Sequence, residues 1–372
     1  MNLGVLNGIG RQPQNLVDEQ GNVIAGEMAV ATGSQSFALG QNAQATALQA
    51  LAVGSGGNPT ISPLASGWGA VAIGAAGGAM VGARATGTGA IAVGGGGSTT
   101  SPCAAATANN AIAMGLGAAA SGANAVAIGL LSTSAGSNGI AIGVQASTAA
   151  SQSHCTAVGR LASASAGSST ALGASASASN TNALAVGQGA SASALSATAI
   201  GDTAVASITQ GIAVGVNAHA TTGTGATAIG GGTSSTAAPL ATGVLSLAIG
   251  ASNATGVAGA RSAGANAIAV GSGDASVAGA SASAADAIAL GRTALAAHSN
   301  ATAIGQGVST TTTNQVNLGT KRLHLGVPTT APADADLVAG QASFWVDEVG
   351  NTLSFKVKLS GGTVKNGVVA IV

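Results

Sequence analysis

Residues 110–143 read NAIAMGLGAAASGANAVAIGLLSTSAGSNGIAIG. One phrase returns three times at a spacing of fourteen: Ile112-Ala113-Met114-Gly115, Val126-Ala127-Ile128-Gly129 and Ile140-Ala141-Ile142-Gly143. Working outward, eighteen glycines close such a phrase, the first Gly40 and the last Gly319. The residue before each glycine is Leu, Val, Ile or Met, and the one before that is alanine in all copies but the last, which has Asn317. Three residues before the glycine the chain is apolar in thirteen copies and threonine in five, at Thr156, Thr170, Thr198, Thr227 and Thr302. Fourteen is the commonest spacing. Copies with about six extra residues place insertions near 55–69, 75–89, 95–110, 231–245, 251–266 and 272–286.

Alternation of large and tiny residues is the period of a β-strand. The second half of the unit alternates too: in QGASASALSATAIG after Gly187, Ala190 and Ala192 share one side, and Gln188, Ser191 and Ser193 largely take the other. Each unit therefore reads as two strands of about five residues joined by tight turns, which glycine suits because it accepts φ > 0. Stacked units make a parallel β-solenoid that climbs about 4.8 Å per coil and reaches roughly 80 Å over seventeen steps. A fourteen-residue coil is flat, so its interior admits little more than methyl groups, and both strands turn their alanines inward. The first strand then carries a stripe of about thirty apolar side chains outward. Exposed apolar patches beyond several hundred Å² are rare on soluble monomers, and burying each large side chain is worth about 1.5–3 kcal/mol. The stripe calls for a partner surface, and an identical stripe on an identical chain is the nearest one.

Composition narrows the alternatives. Sixty glycines, 5% charged and 1% aromatic residues and no tyrosine are far from globular averages. Disorder does not fit β-branched residues at fixed places, and glycine does not fall every third residue as collagen requires. Net charge is zero, which gives no basic face for nucleic acid. Four of the charged residues precede Gly40, nine follow Gly319, and seven lie between. Cys103 and Cys155 form neither a disulfide framework nor a metal spacing. No run of about twenty apolar residues is free of glycine, so no membrane insertion is expected. No secretion leader is expected either, because the first basic residue is Arg11 and no apolar run surrounds it.

SALSATAIGDTAVASITQGIAVGVNAHA, residues 193–220, resembles the head repeats of trimeric autotransporter adhesins. The resemblance runs over about residues 26–319. It implies a left-handed parallel β-roll with three chains to a rod, and it turns the outward stripe into a trimer axis. Candidate axis residues are Val126, Ile128, Ile140, Ile142, Ile212, Val214, Ile268, Val270, Ile288 and Leu290. The heptads of that family's coiled-coil stalk are not found. The expected fold is all-β: a homotrimeric rod of fourteen-residue coils, followed by a small antiparallel meander.

That meander is read from residues 332–372, PADADLVAGQASFWVDEVGNTLSFKVKLSGGTVKNGVVAIV. Strands are expected at 342–346, 352–358 and 363–371, turns at Glu348–Asn351 and Ser360–Gly362, and a small aromatic core of Phe344, Trp345 and Phe355. The segment is similar to C-terminal modules of structural proteins of tailed bacteriophages. The expected division is thus 1–25 as a cap or attachment segment, 26–319 as the rod and 320–372 as the C-terminal module.

Chemistry-bearing residues are scattered. His154, His219, His298 and His324, and Asp202, Asp274 and Asp286, lack partners at catalytic spacing. The calcium-roll pattern G-G-x-G-x-D and the phosphate loop G-x-x-x-x-G-K-[ST] are absent. No catalytic, cofactor or metal site is expected, and polysaccharide cleavage would need paired carboxylates in a groove. Recognition falls to the loops: Trp68 would stack on a receptor sugar or pack against its neighbour loop. Asn317 marks the exit from the roll, with Lys321 and Arg322 just beyond. The expected function is a structural fibre or spike of a virion, tail or head, made in the host cytoplasm and exposed on the particle. Other virion proteins would hold one end, and a host surface glycan or protein would be the target. The alternative is the head of a bacterial cell-surface adhesin.

Overall fold

The computed structural model describes residues 17–75, 81–96, 103–150 and 152–319, and in the C-terminal part 333–334, 337–339, 341–347 and 352–370. The chain divides into two units between Gly319 and Thr320.

The first unit is a parallel β-roll. Its three-residue strands, such as Leu184–Val186, stack into a nineteen-stranded ladder, and its two-residue strands, such as Ser191–Ala192, into a seventeen-stranded one. Register is residue on residue: Ile112, Val126 and Ile140 lie in one column, and Ala113, Ala127 and Ala141 in the next. Eighteen steps at about 4.8 Å give a stack of about 86 Å. The strands are shorter than the five residues expected, because the corners claim the difference. Ala190 N–H donates to Gly187 at 3.3 Å and Ala197 N–H to Ala194 at 3.1 Å, each closing a four-residue turn. Even the corners bond along the stack, as Gly189 N–H does to Ala174 at 2.9 Å.

Four interior positions per coil face each other, as Ala183, Ala185, Ala190 and Ala192 do, and all four are buried. The space is fixed by the two short strands; slightly larger residues such as Cys155 and Ser169 still enter it, and at two places a neighbour shrinks to admit one. Ser134 and Thr148 replace interior alanines and share a hydrogen bond at 3.3 Å. Beside them Gly139 takes the place of an alanine. A methyl there would lie 2.7 Å from Ser134 Oγ and 2.9 Å from Thr148 Oγ1. Gly211 gives way in the same manner to Ile208, whose Cγ1 occupies the site of the missing methyl.

Both ends of the stack are closed by an asparagine. The first strand is Val23–Ala25, inside the segment read as a cap. Just before it, the buried Asn22 takes Asp18 as acceptor for its N–H at 2.8 Å and for Nδ2 at 2.9 Å. Its Oδ1 receives Ser36 N–H at 2.9 Å. These bonds hold the Asp18 carboxyl below its usual pKa. At the other end Asn317 stacks on Ala303, donates to Ser309 O at 2.7 Å and receives Gly319 N–H at 2.8 Å. Residues 1–16 and Lys321 and Arg322 lie outside the described residues.

The second unit is a three-stranded antiparallel sheet of Ala342–Asp347, Thr352–Lys358 and Val364–Ala370. The 348–351 turn lies outside the described residues. The three aromatic residues do not form one core. Phe344 and Phe355 pair on one face with centroids 6.3 Å apart, whereas Trp345 alternates to the other, where Lys356 Nζ stands 5.9 Å from its ring.

Anchor and corner glycines differ in what they demand. Gly187 has φ +126°, and a methyl on it would strike the carbonyl of Gly201 in the next coil. Gly189 has φ +63°, with only Thr203 Cγ2 at 3.3 Å, and Asn217 holds the same corner position at φ +57°. Gly187→Ala should lower the denaturant midpoint clearly, by the equivalent of about 1–3 kcal/mol. Gly189→Asn should stay within about 0.5 kcal/mol of the parent. Equal losses from both would contradict this packing.

Candidate interaction surfaces

The ten candidate axis residues all project outward from the three-residue strands. They form two columns that run along the ladder: Val126 stacks on Ile140 and Ile128 on Ile142, and Ile268 stacks on Ile288 and Val270 on Leu290. Ile212 and Val214 occupy the same columns further along. In the single chain Ile140, Ile142 and Ile212 are 36–39% exposed. The other seven are half-buried, because coil neighbours above and below cover their flanks. No charged residue enters either column. Apart from the hydroxyls of Thr156, Thr170, Thr198, Thr227 and Thr302, such a surface offers no chemistry beyond exclusion of water.

The two-residue strands present the opposite character. Ser163, Ser177 and Ser191 follow one another there, and further on Val205, His219, Leu240 and Arg261 stack in turn. Burial, with Arg261 two coils on adding to it, holds the His219 imidazole below its usual pKa. His154 sits on a corner within 3.4 Å of Asn138, and His298 Nδ1 lies 3.2 Å from Thr310 Oγ1. His324 is outside the described residues. The acids are apart as well. Asp286 receives Asn266 at 3.0 Å. Asp274 turns its own loop by accepting from Ser276 and Val277 and pairs with Arg292. Among the described residues no three His, Cys, Asp or Glu gather as a metal would need.

The corner between second and first strand carries ladders of left-handed residues. Asn110, Asn124 and Asn138, at φ +55 to +56°, donate amide to amide along the stack at 3.1 and 3.0 Å. Asparagine tolerates that backbone better than other side-chain-bearing residues. Trp68 belongs to this corner and not to an inserted loop. Its turn closes with Ala70 N–H to Gly67 at 3.1 Å. It is 58% exposed, and its Nε1 lies 3.4 Å from Gln49 Oε1. Leu48, at the same place one coil earlier, is also exposed. The insertions instead follow the anchor glycines at the opposite corner, in the stretches that begin after Gly54, Gly74, Gly94, Gly230, Gly250 and Gly271. Arg261 ties one of them by donating to Thr236 O at 3.2 Å. Beside them a shallow groove of about 460 Å³ runs past Ile229, Ile249 and Asn253, and no charged residue lines it. The sequence alone did not locate this corner, because the length of a unit does not say where its extra residues leave the coil.

The family model of the YadA head domain repeat, two copies long, matches residues 31–56, 106–132, 164–190, 178–204, 192–218, 209–233 and 282–307. The resemblance read from residues 193–220 is thereby borne out. The matches follow the regular coils and leave out most of the inserted residues. They also omit 133–163, where Ser134, Gly139 and Thr148 rearrange the interior. A search of the curated proteins finds no match.

His219 yields a pH test. A histidine whose folded pKa is depressed favours the fold while neutral. Its contribution is complete above the unfolded pKa of about 6.5 and is lost as pH falls below that value. Thermal unfolding should therefore lose stability from pH 7.5 to 5, and His219→Gln should shrink that loss. A variant with an unchanged pH slope would remove His219 from the account.

Proposed function

We propose that this chain is the structural subunit of a homotrimeric adhesive fibre, with its outward apolar columns packed about a common axis. The observation that carries this reading is the uninterrupted register of those columns, from Val126 and Ile128 through Leu290. A surface of that length without charge is stable in water only when covered, and a closed ring of identical stripes covers it without leaving one over. Adhesin-type head repeats are structural and adhesive, and the scattered acids and histidines support no catalytic role. Ordered corners and insertions on a stiff stack are the natural recognition elements. Trp68 beside Leu48 offers an aromatic–aliphatic surface of the kind that stacks on a sugar or an apolar peptide side chain.

We place the fibre on a tailed-bacteriophage virion, as a tail or head fibre held at one end by other virion proteins and directed at a host surface glycan or protein. The support is the antiparallel meander at 342–370, which the roll repeats do not contain. The second reading, a bacterial cell-surface adhesin head, is favoured by the repeat match itself.

Light scattering on the purified chain should give three times its 34.0 kDa mass. Ile212→Asp with Val214→Asp should break that assembly, because two carboxylates would have to be buried against an apolar axis. A soluble single chain in the parent protein would remove the trimer. Antibodies to the roll should label purified virions in the electron microscope; labelling of the bacterial surface alone would select the adhesin reading. Trp68→Ala should weaken attachment to host cells several-fold without change of mass.

A further inference from the structure

The C-terminal sheet has two unlike faces. Cross-strand register places Ala342, Val357 and Lys365 in one row, with Phe344, Phe355 and Gly367 in the next row of the same face. Leu353 belongs to this face by alternation. The face is apolar apart from Lys365 at its margin. The other face is mixed: Ser343, Lys356 and Asn366 make one row, and Trp345, Ser354 and Val368 the next. Part of that second face, around Lys356, Lys358 and Ser354, is covered by the preceding segment, while Val368 at its far strand stays 65% exposed. Lys358 donates to Leu337 O at 2.9 Å and to Asp334 O at 3.2 Å, and Lys356 pairs with Asp334 at 2.7 Å. Leu337 and Ser354 are buried there, at 6% and 4% exposure. On the apolar face Phe344 remains 47% exposed. Gly367 has no side chain, and the Phe355 ring lies across the place where its Cβ would be. The ring is thereby laid flat over the third strand, and the face is levelled for a partner.

We propose that this face is an interface between copies of the chain, formed when the Phe344–Phe355 faces of neighbouring subunits meet. The proposal rests on the trimer reading above and adds a second, separate contact to it. The Thr320–Val372 unit belongs to a size class whose core rarely supplies more than about 3–5 kcal/mol without a disulfide, a metal or association. Both cysteines of the chain lie outside it, and no metal-binding group is present among the described residues. Association is what remains. The face carries no carboxylate to discriminate against itself, so apolar side chains meet apolar side chains and each Lys365 stays at the rim. Subunits already joined through the roll hold their C-terminal units at high effective concentration, which makes a second copy the occupant ahead of any free partner.

The test uses the full chain with Phe344→Cys, and Val338→Cys as its control. Val338 is 66% exposed in the segment that covers the polar face, and native Cys103 and Cys155 are buried. With Trp68→Phe added throughout, Trp345 is the one tryptophan and its emission reports that the sheet is folded in each variant. With a short bis-maleimide, Phe344→Cys should give covalent chain pairs holding up to about two thirds of the chains, the limit for three thiols about one axis. Val338→Cys and the parent should give few. A three-copy mass with no pairs at position 344 would overturn the interface and leave the trimer standing. In that case free reaction with a mono-maleimide would show an open face, and protection would assign it to the chain's own roll. A single-copy mass would remove the trimer and this interface together.

Discussion

The separation of two short strands across a flat coil governs this protein. Three residues on one side, two on the other and a tight turn at each end leave room for four methyl groups. Almost everything larger points out, with Ser134, Thr148, Cys155 and Ile208 among the exceptions. Hence the same constraint that fills the inside with alanine loads the outside with Ile, Val and Leu, and a fold with an interior of methyl groups is left with its larger apolar surface uncovered. In most domains the large side chains supply the core. Here they face away from it, so a single chain holds only part of its hydrophobic stabilisation. In the proposed trimer, association completes the structure and does not merely decorate it.

The backbone carries more of the stability of the roll than is usual. Strand amides, corner amides and several side-chain amides all bond along one direction, from coil to coil. Such a stack is close to one-dimensional, with each coil touching only its neighbours. The two ends are where its hydrogen bonds run out, and Asn22 and Asn317 supply bonds there that another coil would otherwise provide. Asn317 does so at the price of one interior methyl, a loss tolerated because no further coil stacks on it among the described residues.

Much of this was legible in the sequence because alanine alternates with large apolar residues through the repeat phrase, broken only by five threonines and Asn317. Parallel stacking, the inward alanines and the outward columns follow from that pattern alone. Strand length did not, since Ala190 reads as strand by alternation yet is drawn into a turn. Trp68 was misplaced because it lies inside a long unit, although that unit leaves the coil at the other corner. Nothing in the repeat pattern singles out Gly139; only the packing shows it making room for Ser134 and Thr148. Trp345 was grouped with the phenylalanines by proximity in sequence, whereas strand alternation puts it on the other side of the sheet.

The residue-on-residue register makes length a discrete variable. Adding or removing one fourteen-residue coil moves the ends by about 4.8 Å and leaves every remaining contact intact, because each coil meets a near copy of itself. Adding one residue within a strand would turn its alanines out and its isoleucines in. The gene for such a chain can therefore change reach in whole steps, by duplication or deletion of complete units, while frame-preserving changes of any other size within the strands are filtered out by the fold. The insertions behind the anchor glycines are the exception: they leave and rejoin the coil at one corner, so they vary in length and composition without shifting the ruler.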